Sequence, residues 1–350
     1  MTNAPRLAGL DALRGIAAAA VMLHHHGQYY DVLFPGRSPL TIDLGPGHFG
    51  VELFFIISGF VILMTIARKE SALEFGISRT VRLMPAFLAA LVLATTILAL
   101  APLPPPFASP SPRQFLANIT MASDLFGERN VDLPYWTLTY ELVFYALMAL
   151  LLRLDLLRFV ELFGIVVVAG GCLFMLVVDE RLHHRLSIVL LVHYSNFFLI
   201  GICLYRVLTR QARAITAIAL TFAVATTALG GGERAFFASG YVYFPLTVAL
   251  AGLVWLAASK QGSWLSWRPL VYLGKISYPL YLIHVVVGFQ IISFGVGHGW
   301  STLQGVVMSV AVCLLLAMAM HHVVELPGQR LLRGLAARWI PAPAVVRGGS

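Results

Sequence analysis

Charged residues are scarce in this sequence. Only 11% of its 350 residues are Asp, Glu, Lys or Arg, whereas soluble domains contain about 25%. Hydrophobic residues make up 59% of the chain, and the mean hydropathy is +0.83. So few charges cannot cover a water-facing surface, which excludes an ordinary soluble enzyme or binding domain. We therefore predict an all-α, polytopic membrane protein.

Cysteine is also rare, and the three cysteines are isolated from one another. Cys172, Cys203 and Cys313 each lie in an apolar run, without a CxxC pair or a spacing typical of metal sites. No two histidines are four residues apart, although several lie within apolar runs. We therefore expect no disulfide framework, no metal ion and no permanently bound cofactor.

Apolar runs of membrane-spanning length recur along the chain. A helical span needs about 20 apolar residues, and ten such runs are present. They fall at about 8–29, 49–67, 81–101, 134–152, 159–178, 187–206, 213–230, 241–258, 276–296 and 302–323. We find no internal repeat and expect no second, soluble domain. The prediction is one integral membrane domain at 1–327, followed by a short basic cytoplasmic tail at 328–350.

The positions of the basic residues indicate how these spans are oriented. With the N-terminus in the cytoplasm, 18 of the 24 lysines and arginines fall on the cytoplasmic side. This asymmetry follows the positive-inside rule and predicts that both termini are cytoplasmic. It also accounts for most of the net charge of +8. We therefore expect membrane lipids, and no nucleic acid, among the partners.

The first apolar run contains an arginine and a histidine on one helical face. Arg14 and His25 are eleven residues apart, which is within about 20° of three full turns and about 16 Å along the axis. Two interpretations stay open. Both side chains face a polar interior, since an arginine in lipid costs at least about 2.5 kcal/mol, or each reaches the headgroups at its own surface. His24 and His26 point about 100° to either side of His25.

Two further segments carry charged residues at or within apolar runs. Arg79 and Arg82 are one helical turn apart, which suits a bidentate phosphate site and equally a positive-inside anchor. Glu141 is expected about 10 Å below the outer surface, where an acidic side chain needs a partner or a function. Its depth matches that of His25 and is compatible with a His–carboxylate pair. The Ser58-Gly59 step in the second apolar run is interpreted as a mark of close helix packing.

Six short motifs follow one another between residues 10 and 327. They are Leu10-Asp11-Ala12-Leu13-Arg14-Gly15 with His25, Phe54-Phe55-Ile56-Ile57-Ser58-Gly59-Phe60, Arg79-x-x-Arg82-x-x-Pro85, Trp136-Thr137-Leu138-Thr139-Tyr140-Glu141, Leu273-Gly274-Lys275-Ile276-Ser277-Tyr278 through His284, and Glu325-Leu326-Pro327. In this order they resemble the membrane-bound acyltransferase-3 family of O-acyltransferases. Ala12, Thr137, Lys275 and Pro279 depart from the usual family residues.

The resemblance implies a multi-pass protein of the bacterial inner membrane. Such enzymes move an acyl group, usually acetyl, from cytoplasmic acyl-CoA to a carbohydrate or lipid-linked glycan, such as a lipopolysaccharide O-antigen or an exopolysaccharide unit. Carried onto this chain, it implies that His25 is the general base and that Glu141 orients and charges it. Arg14, Arg79 and Arg82 are expected to hold the CoA phosphates.

A transporter or flippase of a lipid-linked sugar is the alternative function. Its proton relay would use the same buried charges. Against it, the sequence contains no inverted repeat and no matched pair of broken helices.

Overall fold

The structure is a computed structural model that describes residues 8–34, 40, 42–69, 71–178, 183–229 and 240–337. Within these residues it contains helices and no strand, which confirms the all-α prediction for this part of the chain. The α-helices of eight or more residues are α1 (Ala8–His24), α2 (Gly50–Ile66), α3 (Ala72–Leu100), α4 (Pro112–Ile119), α5 (Trp136–Arg153), α6 (Val160–Val177), α7 (Ser195–Leu208), α8 (Ala214–Ala225), α9 (Gly240–Ala258), α10 (Arg268–Gly297), α11 (Thr302–Met320) and α12 (Leu326–Ala336).

Shorter helical segments connect these helices. Two segments are π-helical: His25–Tyr29 continues α1, and His321–Glu325 joins α11 to α12. The others are the short α-helices Tyr30–Leu33 and His184–Val189 and the 3-10 segments Gly45–Phe49, Ser123–Phe126, Leu133–Tyr135, Leu157–Phe159, Thr226–Leu229 and Lys260–Ser266.

Among the described residues, six helical stretches are long and apolar enough to cross a membrane. They are Gly45–Ile66, Ala72–Leu100, Leu133–Arg153, Leu157–Val177, Arg268–Gly297 and Thr302–Ala336. Three shorter apolar helices accompany them, at Ser195–Leu208, Ala214–Ala228 and Val242–Ala258. These helices are those of a polytopic membrane protein, while the number of ten spans and the cytoplasmic termini stay predictions.

Helix ends differ from the predicted spans because capping, and not hydropathy, decides where a helix begins. The span predicted at 81–101 belongs to α3, which starts nine residues earlier at Ala72. There the Ser71 hydroxyl accepts the N–H of Glu74 at 3.1 Å, as an N-cap residue does. Arg79 and Arg82, which the sequence places at the cytoplasmic end of this span, therefore lie within the helix.

Some of the basic residues in the charge count lie outside the described residues, namely Arg6, Arg37, Arg181, Arg234, Arg338 and Arg347.

Helices α1 and α10 contact each other backbone to backbone. A Cβ atom on Gly274 of α10 would lie 1.9 Å from the carbonyl oxygen of Asp11, and one on Gly15 would lie 2.6 Å from the amide nitrogen of Gly274. Small residues permit this approach, which in lipid is stabilised by van der Waals packing. Helix α10 is also deeply buried, with 67% of its most apolar window inside the protein against 28% for the stretch containing α6. Helix α10 is therefore central and α6 peripheral.

Helices α2 and α7 form a second close crossing. A Cβ atom on Gly59 would lie 2.1 Å from the carbonyl oxygen of Phe198, and one on Gly201 would lie 2.0 Å from that of Ile56. The packing interpretation of the Ser-Gly step is thus correct for Gly59. It is wrong for Ser58, whose hydroxyl donates a hydrogen bond to Glu141.

A buried carboxylate ties α6 to its neighbours at the periphery. Glu161 is fully buried and lies 3.4 Å from Arg206 Nε and 3.3 Å from Arg213 Nη2. The Thr216 hydroxyl donates at 3.1 Å to Glu161 Oε1, the oxygen that Arg206 approaches. Arg206 and Arg213 are among the basic residues counted on the cytoplasmic side, and both therefore also neutralise the buried charge of Glu161, as a buried carboxylate requires.

The contact at Gly274 predicts a strong effect of a single methyl group. Gly274→Ala places that group against the Asp11 backbone, which cannot move aside without separating α1 from α10. Overpacking a core costs about 1–3 kcal/mol, so we expect the Tm of the detergent-solubilised protein to fall by roughly 5 °C or more. In Gly252→Ala of α9, no atom lies within 4 Å of the new Cβ, so an unchanged or higher Tm is expected. Equal Tm values for the two variants would contradict the close crossing.

Candidate active site

A cavity opens among α1, α2, α3, α5 and α10, with about 680 Å³ of empty space that includes its opening to solvent. Its walls are largely aromatic and aliphatic, from residues such as Phe54, Leu138 and Tyr281. Its charged residues are four in number: Arg14, Arg79, Arg82 and Glu141. A concave, mostly apolar space with a few convergent polar groups is the usual form of a ligand site.

The three arginines reach this cavity from two helices. Arg79 and Arg82 lie one turn apart on α3, and Arg14 comes from α1. Arg14 interacts electrostatically with Arg82 and with Glu141. The four side chains carry three positive charges and one negative charge, so the cavity favours an anion.

Arg79 is the most deeply buried of the three, with 9% of its surface exposed. Its guanidinium carbon lies 5.5 Å from the Phe75 ring and 5.9 Å from the Tyr145 ring, in cation–π geometry. Within the described residues, Nε and Nη1 are buried without a hydrogen-bond partner. Buried N–H groups that lack an acceptor are unfavourable, and an anion in the cavity would supply one.

Glu141 is bound by hydroxyl groups on two helices. The Ser58 hydroxyl of α2 donates to Glu141 Oε1 at 3.1 Å. The Tyr145 hydroxyl, one turn further along α5, donates to the same oxygen. These two hydrogen bonds hold the carboxylate at the cavity wall.

The predicted pair of His25 with Glu141 does not form. His25 Nδ1 lies 3.0 Å from the carbonyl oxygen of Val21 and 3.0 Å from His284 Nε2, whereas the partners of Glu141 are hydroxyls. The prediction was wrong because helical rise gave only the depth of each residue. The direction in which each side chain points depends on packing, which turns His25 towards α10.

The other two histidines of the first helix have separate surroundings. His26 is fully buried, with Nε2 2.7 Å from the carbonyl oxygen of His284 and Nδ1 2.9 Å from the Ser309 hydroxyl. The ring of His24 lies 5.6 Å from that of His48. His25 alone of the three is partly exposed, which leaves it accessible to a reactant.

Sequence reasoning missed the partners of the predicted residues. Tyr145 lies one turn after Glu141, and helical spacing could have identified it. His284 was noted as a histidine within a span, but nothing in the sequence pairs it with His25. Tyr281, on the same face of α10, lines the cavity and has its ring 5.7 Å from that of His284. Neither histidine of the pair lines the cavity, so Tyr281 is the cavity residue next to them.

Among the described side chains, no group of three or more His, Cys, Asp or Glu residues is arranged to hold a metal ion. His321 forms a pair with Glu325, in which His321 Nδ1 lies 2.6 Å from Glu325 Oε2. The polar groups of the cavity are three arginines, hydroxyls and one carboxylate, Glu141, and their net positive charge suits an anionic organic ligand.

The helices and this cavity define a membrane protein with a buried, cationic ligand site. A family model described as an acyltransferase domain, acyltransferase-3, matches residues 7–320, so the chain belongs to the acyltransferase-3 family. It is 28% identical to Nodulation protein 10 of Rhizobium leguminosarum bv. viciae, over 94% of this chain and 95% of that protein. It is 25% identical to O-acetyltransferase OatA of Staphylococcus aureus, over 92% of this chain.

The match to OatA covers 57% of that protein's length. The chain is thus similar to just over half of OatA and to nearly all of Nodulation protein 10. No solved structure matches the chain.

The unpaired donors of Arg79 predict that this residue lowers the stability of the ligand-free protein. Arg79→Met removes two buried donors that lack an acceptor, each of which costs about 1–3 kcal/mol, and keeps an apolar chain in the same space. We therefore expect a Tm equal to or above that of the wild type. Arg206→Met is the matched control, because it leaves Glu161 with one fewer cation and should cost about 3–5 kcal/mol. If both variants lose stability equally, Arg79 has a structural partner.

Proposed function

We propose that this protein transfers an acyl group, with acetyl as the expected group, from acyl-CoA to a hydroxyl of a carbohydrate. Family membership supports acyl transfer, and the likeness to O-acetyltransferase OatA supports transfer to oxygen. The observation that carries the proposal is the convergence of Arg14, Arg79 and Arg82 on one cavity.

Coenzyme A fits the charge of this cavity. It carries several phosphate groups, and arginine binds phosphate through two parallel N–H donors. Two donor atoms of Arg79, Nε and Nη1, have no other hydrogen-bond partner among the described residues and can bind oxygen atoms of such a phosphate. Since His25 lies about 16 Å along α1 from Arg14, a donor held by the arginines can extend its thioester arm towards His25.

His25 is proposed as the general base. The acceptor hydroxyl gives its proton to an unprotonated ring nitrogen of His25 while its oxygen attacks the thioester carbonyl carbon. A C–O bond forms, the C–S bond breaks, and the CoA sulfur leaves as a thiolate that takes the proton from His25. In the alternative route the same nitrogen attacks first, and an acyl-histidine then passes the acyl group to the hydroxyl.

Glu141 takes a different role from the one that the sequence indicated. Because it contacts Ser58 and Tyr145 and interacts electrostatically with Arg14, it acts on the arginines and not on His25. Its charge offsets part of their mutual repulsion. We therefore assign Glu141 to the positioning of the donor site.

The proposed topology places the donor site on the side from which CoA arrives. Ten spans with both termini in the cytoplasm, a membrane domain at 1–327 and a cytoplasmic tail at 328–350 agree with the excess of basic residues assigned to the inner loops. The expected location is the bacterial inner membrane. A lipopolysaccharide O-antigen or an exopolysaccharide unit on the outer face is the expected class of acceptor.

The proposal predicts a large loss of turnover when His25 is removed. General bases contribute about 10²–10⁴-fold to rate, so His25→Ala should lower kcat for acetyl transfer by that factor. The measurement follows labelled acetyl from acetyl-CoA into surface glycan, in membranes with verified protein insertion. His298→Ala, at an exposed histidine just after α10, is the control and should retain wild-type turnover. Full turnover by His25→Ala would exclude this mechanism.

The arginine site predicts a change in donor affinity that depends on the donor's phosphates. Arg82→Gln removes a charged partner, worth about 1.5–3 kcal/mol, and should raise the KM for acetyl-CoA about 10- to 100-fold. S-acetyl-pantetheine lacks phosphates, so its KM should be the same for variant and wild type. Arg153→Gln, at an exposed arginine ending α5, is the control. An equal change for both donors would argue against phosphate binding by Arg82.

A further inference from the structure

The hydrogen bonds of His284 determine which of its ring nitrogens carries the proton. His284 Nδ1 lies 2.8 Å from the carbonyl oxygen of Tyr281 and 3.2 Å from that of Leu280. A carbonyl oxygen can only accept, so Nδ1 must be the protonated nitrogen. In a neutral imidazole the other nitrogen then has a free lone pair. His284 therefore presents Nε2 to its neighbour as a hydrogen-bond acceptor.

That neighbour is His25, and the same reasoning shows which of its ring nitrogens carries the proton. His25 Nδ1 lies 3.0 Å from His284 Nε2 and 3.0 Å from the carbonyl oxygen of Val21. Both atoms accept, so Nδ1 of His25 carries a proton and donates it to them. The lone pair of His25 is then on Nε2. Nε2 has no hydrogen-bond partner among the described residues, and the side chain is partly exposed.

His284 is itself held in place by His26, the residue that follows His25. His26 Nε2 lies 2.7 Å from the carbonyl oxygen of His284. This contact requires Gly288, because a Cβ atom there would lie 2.1 Å from His26 Nε2. His25 therefore contacts the side chain of His284, and His26 contacts its main chain. Both His284 and His26 are fully buried, so neither has room to rotate away.

We infer that His284 is a positioning residue that holds His25 with Nδ1 protonated and Nε2 free to accept the hydroxyl proton. This inference rests on the proposed role of His25 as the base. The Val21 carbonyl oxygen also accepts the proton on Nδ1, but Val21 belongs to the same helix. Without a second acceptor, it would leave the orientation of the ring plane poorly defined. The second acceptor, on α10, fixes both the tautomer and the direction of Nε2. His284 acts only through His25 and does not touch the reacting atoms.

The test compares two substitutions at position 284. His284→Gln keeps a carbonyl oxygen that can reach His25 Nδ1, whereas His284→Met fills the space without an acceptor. The assay is hydrolysis of acetyl-CoA with water as the acceptor. We expect His284→Met to lower kcat about 10- to 100-fold, with an unchanged KM for acetyl-CoA and a larger solvent deuterium isotope effect. His284→Gln should stay within a few-fold of the wild type.

The matched control is His298→Met. His298 Nδ1 also lies 2.7 Å from a carbonyl oxygen one turn earlier, that of Phe294, but this histidine is exposed. Loss of folded protein would lower kcat without changing the isotope effect, so it cannot imitate the expected result. Equal losses in His284→Met and His284→Gln, or an unchanged isotope effect, would overturn the inference.

A measurement without turnover separates this inference from the proposed function. In protein labelled with ¹⁵N-histidine, the ring nitrogen shifts of His25, assigned by their absence in His25→Ala, report its tautomer. The wild type should show protonated Nδ1 and free Nε2, and His284→Met should show a mixture of tautomers. A wild type with protonated Nε2 would overturn the inference whatever the enzyme's activity. Wild-type turnover by His25→Ala would instead overturn the proposed function alone.

Discussion

Helices α1 and α10 touch backbone to backbone near Gly274, and both parts of the site depend on that contact. Near this crossing, α1 carries Arg14 to the cavity. Eleven residues later it places His25 against His284 of α10. Because one helix carries both side chains, the proposed donor site and the proposed base cannot move independently. A change that separates α1 from α10 is therefore expected to disturb both proposed roles together.

In the part of the chain that the structure describes, the charged residues of the cavity are less fully partnered than the buried Glu161 elsewhere in the fold. Three arginines and one glutamate share it, and Arg79 is buried with donors that lack partners among the described residues. Glu161 shows the opposite arrangement, with two arginines and a threonine around one buried carboxylate. The second group stabilises the fold as it stands. The first group would be balanced by a bound anion, as is expected of a site that binds a ligand.

Sequence reasoning predicted what depends on spacing along one helix, and it failed where packing between helices decides. The apolar runs identified the helices, and the shared face of Arg79 and Arg82 follows from their separation of one turn. The resemblance to a family, and not any spacing, associated Arg14 with them. Depth could be calculated for His25 and Glu141, but the direction of their side chains could not. The contact with His284 spans 259 positions of the chain, and no local pattern predicts it.

The π-helical segment that begins at His25 gives the first helix two parts with different geometry. Up to His24 the helix is regular, so the distance from Arg14 to the histidine is fixed at about 16 Å. Beyond it, the wider turn changes the register of all later residues. In the proposed reaction this regular segment sets the distance between the phosphate site and the base. A donor with a shorter or longer arm would hold its thioester carbon away from the hydroxyl that His25 deprotonates.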